Sequence, residues 1–539
     1  MLLLAIILVL TTTTSQSVSS DFSNIPRPLH PPHHTLSPPL SHLSSSAPPP
    51  PPPPPSPVNT TDVTIELGTL RGYVYTTKRA NVRIFKQIPF ARPPIGRLRW
   101  RMPERPRPWR GVRDATKFGH ACISNTTQIR MPPSGYSEDC LFLNVYAGEQ
   151  CTPFSPCPVV FYIHGGMLKL DTPVAFKDEI LSTNFASRGL VLVTTAYRIG
   201  FAGILVFEDD SVVPANLALY DMLHSLNFTK EIIGAFGGDP SQVTLYGHSS
   251  GGSQTLMFTF SPGIAKRNEP FTLFQRAIAM SPGWGFENET RQIETTRAIA
   301  AELGCFGSAA TIIACMRPLS SERILAAQHK YELADKQHHA LQGVIMRAPL
   351  FPINNIREMR DNPIPIPLLT GTITHEYDAW EDDPDNIVIT FAQGYRHPHG
   401  VFDKYLRDKA SRRIEFNTTS TTQSMFLTTF QQADAMAKTG APAYLYSYDY
   451  TLSNRTSHVD DLTLVFGNRR RLLDENERWL ADFYPRLFAN FAKSGRPHPD
   501  WKPLRPQDRN YYSVNYVRGT GIRPRMKSGY HSDVIDYWT

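Results

Sequence analysis

Ser249 stands between two glycines in Gly247-His248-Ser249-Ser250-Gly251-Gly252. The stretch follows Val243-Thr244-Leu245-Tyr246, a β-branched and aromatic run that reads as a strand. It leads into Ser253-Gln254-Thr255-Leu256-Met257, which can start a helix. A serine in the pattern G-x-S-x-G at a strand-to-helix turn is a nucleophile elbow. So tight a turn needs glycines to keep the neighbouring backbone clear, and it pushes the serine hydroxyl outward. The Ser250 N–H, at a helix N-terminus, suits a developing oxyanion. The chemistry is acyl transfer through an activated hydroxyl, which needs a base and an orienting acid elsewhere in the chain. A glycine-rich turn with a surface serine has the same residues, so the partners decide.

The elements around the elbow are those that could position such partners. Val159-Val160-Phe161-Tyr162-Ile163 is a buried-strand run ending at His164-Gly165-Gly166, and Leu190 to Ala196 is another. Thr64–Leu67 and Leu70–Tyr75 read as a hairpin, and Ser137–Tyr146 as a polar turn entering a strand. Strands alternate with helical stretches such as Ala218 to Phe236. That alternation predicts an α/β fold with a central, mostly parallel sheet and helices on both faces.

Length and composition agree with one large core, since 41% of the 539 residues are hydrophobic. The net charge of +7 is dispersed. Its densest run, Arg469-Arg470-Arg471, reads as a solvated helix start, so nucleic acid is not an expected partner. Met1 to Leu10 is too short to span a bilayer and fits the apolar core of a secretory signal, although a basic segment before it is missing. Residues 1–19 are therefore assigned as a signal peptide, with small residues for cleavage around Ser15, Ser17 and Ser19. Residues 20–57 are rich in Pro and Ser, include the unbroken run Pro48 to Pro55, and read as a disordered stalk. His30, His33 and His34 belong to that solvated tract rather than to a metal site. The globular domain is expected over 58–539. No later run has the roughly eighteen apolar residues of a membrane-spanning helix.

Six cysteines behind a signal suggest disulfides. Along the chain they fall as Cys122 and Cys140, Cys151 and Cys157, Cys305 and Cys315, but about fifteen pairings can be drawn and the sequence does not choose. Asn59, Asn125, Asn227, Asn288, Asn417 and Asn454 each begin an N-x-[ST] sequon, which agrees with secretion and glycosylation. Asn227 sits in a helical stretch, where glycosylation is less expected.

Several longer motifs resemble the type B carboxylesterase/cholinesterase family of α/β-hydrolases, in that family's order. They are Ser137–Tyr146, then Phe236-Gly237-Gly238-Asp239-Pro240 before the elbow strand, then Phe491-Ala492-Lys493-Ser494-Gly495. The resemblance runs from about Val63 to Tyr516 and implies an α/β-hydrolase fold. It also implies the partners of Ser249. The acid carries over to Glu376 in Leu368-Leu369-Thr370-Gly371-Thr372-Ile373-Thr374-His375-Glu376, and the base to His458 in His458-Val459-Asp460-Asp461-Leu462-Thr463-Leu464-Val465-Phe466-Gly467. By position, the oxyanion donors are the N–H groups of Gly166, Met167 and Ser250. Ser249, Glu376 and His458 then follow in the Ser…acid…His order of the fold.

Three departures bear on how active such a site is. Met167 stands where the family usually has a third glycine; if that position needs φ > 0, the strain is on the order of 1 kcal/mol. Losing one donor outright would cost about 3 kcal/mol in the transition state. His248 replaces the usual acid before the nucleophile, which would have helped to stabilise the His458 cation. Tyr377 replaces a glycine after the acid and is expected to crowd that loop. The stretch between Cys122 and Cys140 contains no tryptophan of the kind on which cholinesterases hold choline, and Arg130 within it would repel a cation. Acetylcholine is therefore not the expected substrate.

The leading expectation is a secreted, extracellular serine carboxylic-ester hydrolase acting on a small-molecule ester. It uses an acyl-enzyme on Ser249 and needs no metal or organic cofactor. The alternative is a catalytically weak or inactive neuroligin-like adhesion protein on the same fold, with a protein partner. A complete triad and the lack of a transmembrane segment favour the enzyme.

Overall fold

The computed structural model describes residues 59–124, 134–267, 273–283, 285–334, 341, 343–353, 355–378, 398–451, 457–467 and 472–539. The signal and stalk, the sequons at Asn125 and Asn454, Arg130 and Arg469–Arg471 lie outside the described residues.

Fifteen strands are described among these residues. They are β1 (Thr60–Ile65), β2 (Gly68–Thr76), β3 (Asn81–Pro89), β4 (Val112–Asp114), β5 (Ala121–Cys122), β6 (Tyr136–Ser137), β7 (Phe142–Gly148) and β8 (Cys157–Ile163). The remainder are β9 (Val191–Thr195), β10 (Gly238–His248), β11 (Arg276–Met280), β12 (Leu368–Ile373), β13 (Ala443–Tyr448), β14 (Tyr511–Val514) and β15 (Arg525–Lys527). Thirteen form one sheet in the order β1-β2-β3-β7-β9-β8-β10-β11-β12-β13-β14-β15, with β4 beside β2; β5 and β6 pair separately. From β9 through β14 every neighbouring pair is parallel, whereas β1, β2, β3, β7 and β9 pair antiparallel in sequence. The parallel core of the expected α/β-hydrolase fold thus carries an antiparallel flank, which begins with the hairpin read from the sequence.

The central strands are apolar on both faces because both faces are covered. Val159, Phe161 and Ile163 of β8 join a core with Leu256 and Phe258 of helix Ser250–Phe260 and Phe426 and Phe430 of helix Ser420–Lys438. The alternate residues Val160 and Tyr162 join a second core with Phe466 of helix Asp460–Phe466 and Phe488 of helix Glu475–Ser494. Each such side chain contributes about 1.5–3 kcal/mol of hydrophobic burial, so the register of these strands is strongly held. In that register Gly247 lies opposite Ile163 on one side and Ala279 on the other, and Met280 lies opposite Gly371. The C-terminal ends of β8, β10, β11 and β12 therefore lie side by side, where an open α/β sheet carries its site.

The expected helix over Ala218–Phe236 is Leu217–Ile232 followed by a tighter 3₁₀ turn, Ile233–Phe236, which Gly237 closes at φ +84°. Of the pairings open to the six cysteines, Cys122–Cys140, Cys151–Cys157 and Cys305–Cys315 are bonded. Among the described residues no helix is long and apolar enough to cross a membrane.

Candidate active site

Strand β10 delivers Ser249 into a backbone conformation of φ +58°, ψ −127°, and the helix Ser250–Phe260 begins at the next residue. The Ser249 N–H donates to the Met280 carbonyl at 2.9 Å, and its own carbonyl accepts from the Ser253 N–H at 2.9 Å. A Cβ on Gly247 would lie 2.0 Å from the Gly251 carbonyl oxygen, so the strand and helix can approach this closely only over glycine. The elbow read from the sequence is present.

The loop after β12 carries Glu376, and the turn before helix Asp460–Phe466 carries His458. The two segments are tied together by the backbone, the His458 N–H donating to the Glu376 carbonyl at 3.0 Å. His458 Nδ1 lies 2.6 Å from Glu376 Oε2, and its Nε2 lies 2.6 Å from Ser249 Oγ. A carboxylate accepts, so Nδ1 bears the proton and Nε2 is left to accept from the serine hydroxyl. Glu376 Oε1 also accepts the Ile373 N–H at 3.1 Å. Burial pushes the Glu376 carboxyl well up from its ordinary value, and the Ser281 hydroxyl and Ile373 N–H work against that push. Ser249, Glu376 and His458, separated by 127 and 82 residues in the sequence, are thus brought into one hydrogen-bonded chain.

The expected oxyanion loop leaves β8 against the nucleophile. A Cβ on Gly165 would sit 2.9 Å from the Ser249 Cβ. Gly166 has φ +93°, and Met167 and Leu168 both have φ +55°. The condition on which Met167 would be strained is met, and Leu168 shares it. The turn closes on Gly166, whose carbonyl accepts from the N–H groups of Lys169 at 3.0 Å and Leu170 at 2.8 Å. Among the described residues, the N–H groups of Gly166, Met167 and Ser250 have no hydrogen-bond acceptor. Sequence reasoning missed what holds this loop. The Tyr197 hydroxyl donates to the His164 carbonyl at 2.8 Å, its ring stacks on the His164 ring at 4.3 Å, and Gly200 N–H donates to the Leu168 carbonyl at 2.7 Å. The available signal was the position of Tyr197 just beyond β9, at the same end of the sheet. Burial lowers the His164 pKa to about 4, so this imidazole is neutral.

His248 is 2% exposed, and its Nε2 lies 3.1 Å from the His458 carbonyl oxygen, to which it must donate. Burial and the neighbouring His458 push its pKa well below the ordinary histidine value. It is therefore a neutral donor and no substitute for a carboxylate. Tyr377, expected to crowd the loop, packs against the base. Its N–H donates to Thr422 Oγ1 at 2.9 Å, and its ring lies over His458 with centroids 4.3 Å apart. Among the described residues no group of three His, Cys, Asp or Glu side chains converges as a metal site would require.

Comparison with known proteins adds to this geometry. The family model described as "Carboxylesterase family" matches residues 59–538. The chain is similar to Carboxylesterase 1F of Mus musculus, at 27% identity covering 85% of this chain and 89% of that protein. It is similar to Gut esterase 1 of Caenorhabditis briggsae, at 25% identity over 88% and 92% of the two chains. Cocaine esterase of Homo sapiens is 26% identical over 90% of this chain and 91% of its own. A solved structure of a PNB esterase superposes with a TM-score of 0.74 at 23% identity, covering 89% of this chain and 99% of that one, which speaks for the fold.

Proposed function

The chain belongs to the carboxylesterase family, and from that premise we propose that it is a secreted serine hydrolase that cleaves small-molecule carboxylic esters through an acyl-enzyme on Ser249. The observation that carries the reading is the pair of 2.6 Å contacts running Ser249–His458–Glu376. His458 Nε2 takes the Ser249 proton as the hydroxyl oxygen attacks the ester carbonyl, and later gives it to the departing alcohol. Glu376 holds the imidazole in the Nδ1–H tautomer and balances its charge. The N–H groups of Gly166, Met167 and Ser250 receive the oxyanion. Water, deprotonated by His458, then cleaves the acyl-enzyme. Secretion with a cleaved signal at 1–19 and a stalk at 20–57 is supported by three disulfides and by exposed sequon residues Asn59, Asn288 and Asn417. Asn227 is exposed as well, but its side-chain amide donates to the Leu223 carbonyl within a helix.

The test is hydrolysis of a short-chain p-nitrophenyl ester by the purified chain beside Ser249→Ala, with organophosphonate labelling of Ser249. Turnover and labelling that both vanish in the variant are expected. A folded wild type showing neither would overturn the hydrolase, and the adhesion protein on the same fold would take its place.

A further inference from the structure

Two aromatic rings meet the base that the proposed mechanism uses. The His248 ring centroid lies 5.0 Å from that of His458, and the Tyr377 ring centroid lies 4.3 Å from it at an interplanar angle of 30°. A neutral imidazole that donates to the His458 carbonyl does nothing for positive charge on His458. A phenol ring is different, because its π face is the negative end of a quadrupole and attracts a cation laid over it.

We propose that Tyr377 is a positioning residue of this site: its ring face supports the cationic form of His458 where no acid stands beside Ser249. The inference rests on the hydrolase reading and adds a residue to it. Tyr377 is braced for such a role. Its N–H donates to Thr422 Oγ1 at 2.9 Å, and its carbonyl accepts from Thr419 Oγ1 at 3.3 Å. The following residue, Asp378, accepts the Thr419 N–H at 2.9 Å. These contacts hold the Tyr377 backbone at the N-terminus of helix Ser420–Lys438, from where its ring lies tilted over His458. The loss of hydration around the partly buried phenol raises its pKa, so the ring stays neutral.

The other ionisable groups around His458, among the described residues, leave room for this contribution. Glu376 contacts Nδ1 from the loop after β12, and His248 approaches from the end of β10. At the start of the helix that follows His458, Asp460 accepts the Ser457 N–H at 2.8 Å. Asp461 accepts the Tyr484 hydroxyl at 2.9 Å, and burial pushes its carboxyl well up.

The experiment compares Tyr377→Leu and Tyr377→Phe, each made alone and with His248→Glu, in the full chain. One readout is the pH profile of kcat/KM for a p-nitrophenyl ester. The other is the pKa of the His458 ring followed by NMR without substrate. Tyr377→Leu keeps apolar volume without a π face. It is expected to lower the His458 pKa by roughly half a unit to one unit and kcat by about three- to tenfold, with KM little changed. Tyr377→Phe keeps the π face and is expected to keep the His458 pKa and kcat within about twofold of wild type. With His248→Glu the leucine effect shrinks, because a carboxylate then carries the cation. Fluorinated phenylalanines at 377 keep the shape and drain the quadrupole, so the pKa should fall stepwise even if the leucine variant does not fold. A ring pKa indifferent to leucine and to fluorination, or a leucine effect equal in both backgrounds, overturns the proposal. A wild type without turnover would fail the hydrolase reading alone, since the NMR comparison needs no turnover.

Discussion

The elbow and the oxyanion loop both hold non-glycine residues at positive φ, yet they are built differently. At the elbow a single strained residue, Ser249 at φ +58°, is clamped between a central strand and a helix. In the loop three successive residues, Gly166, Met167 and Leu168, take positive φ, and one of them is glycine. A tight turn on the Gly166 carbonyl, the Tyr197 hydroxyl and the Gly200 N–H fix them. Strained backbone persists only where its surroundings over-determine it. The elbow gets that determination from regular elements, through the Met280 carbonyl of the neighbouring strand β11 and the Ser253 N–H of the following helix. The loop gets it from contacts up to 33 residues away, so its donors depend on packing that the glycine pattern does not encode.

The sharpest way to separate the two regions is one substitution in each. Ser249→Ala is expected to cut turnover by about ten-thousandfold or more while leaving the unfolding midpoint unchanged, as read by ester hydrolysis and circular dichroism. Gly166→Ala puts a Cβ where the Leu170 carbonyl oxygen would be 2.3 Å away. It should displace two of the three donors, lowering kcat by roughly 100- to 1000-fold with the fold retained. An active Gly166→Ala enzyme would break the comparison, because the loop would then not set the donors.

Each region also carries one buried neutral imidazole, His248 at the elbow and His164 in the loop, and burial depresses both pKa values. In the pH range below the ordinary histidine value of 6.5 the unfolded chain takes up protons that the folded chain refuses. Stability is therefore full above that value and falls with pH, for His164 down to about 4. The slope is about 1.4 kcal/mol per pH unit for each group. Urea midpoints measured across this range should flatten in His164→Gln and His248→Gln; equal slopes in variant and wild type would refute the assignment. The smallest effect is expected from Met167→Gly, which relieves the φ +55° strain. It should raise the urea midpoint by no more than about 1 kcal/mol in stability and change kcat only a few-fold. A loss of stability would mean that the methionine side chain contributes more by packing than its backbone costs.

Much of this site was legible because its parts are local. The elbow is a contiguous run in which glycine spacing, a preceding strand and a following helix agree with one another. The apolar run Val159–Ile163 was readable because parallel strands covered on both faces are continuously apolar. Glu376 and His458 were found differently. Each alone is an unremarkable loop residue, and only motifs resembling a known family singled them out. Tyr197 and Leu168 had no signal of comparable strength, since neither lies within a motif and their roles are contacts. Tyr377 was noticed as a departure, but a bulky residue in place of glycine says nothing about where its ring will lie.

What the sequence determined is the set of local conformations: which runs are strands, where the turn is tight enough to expose a serine, and which cysteines and acids exist to be paired. These follow from propensity, periodicity and the sterics of glycine, which act over a few residues. Only the tertiary structure decided the partners. Lateral pairing of β8, β10, β11 and β12 sets their C-terminal ends side by side. On that rim Ser249, Glu376, His458, the loop at Gly166–Leu168 and the Tyr377 ring, from segments far apart in the chain, come together. Such proximity depends on sheet order and register, which are set by the burial of two cores at once and are written in no single segment.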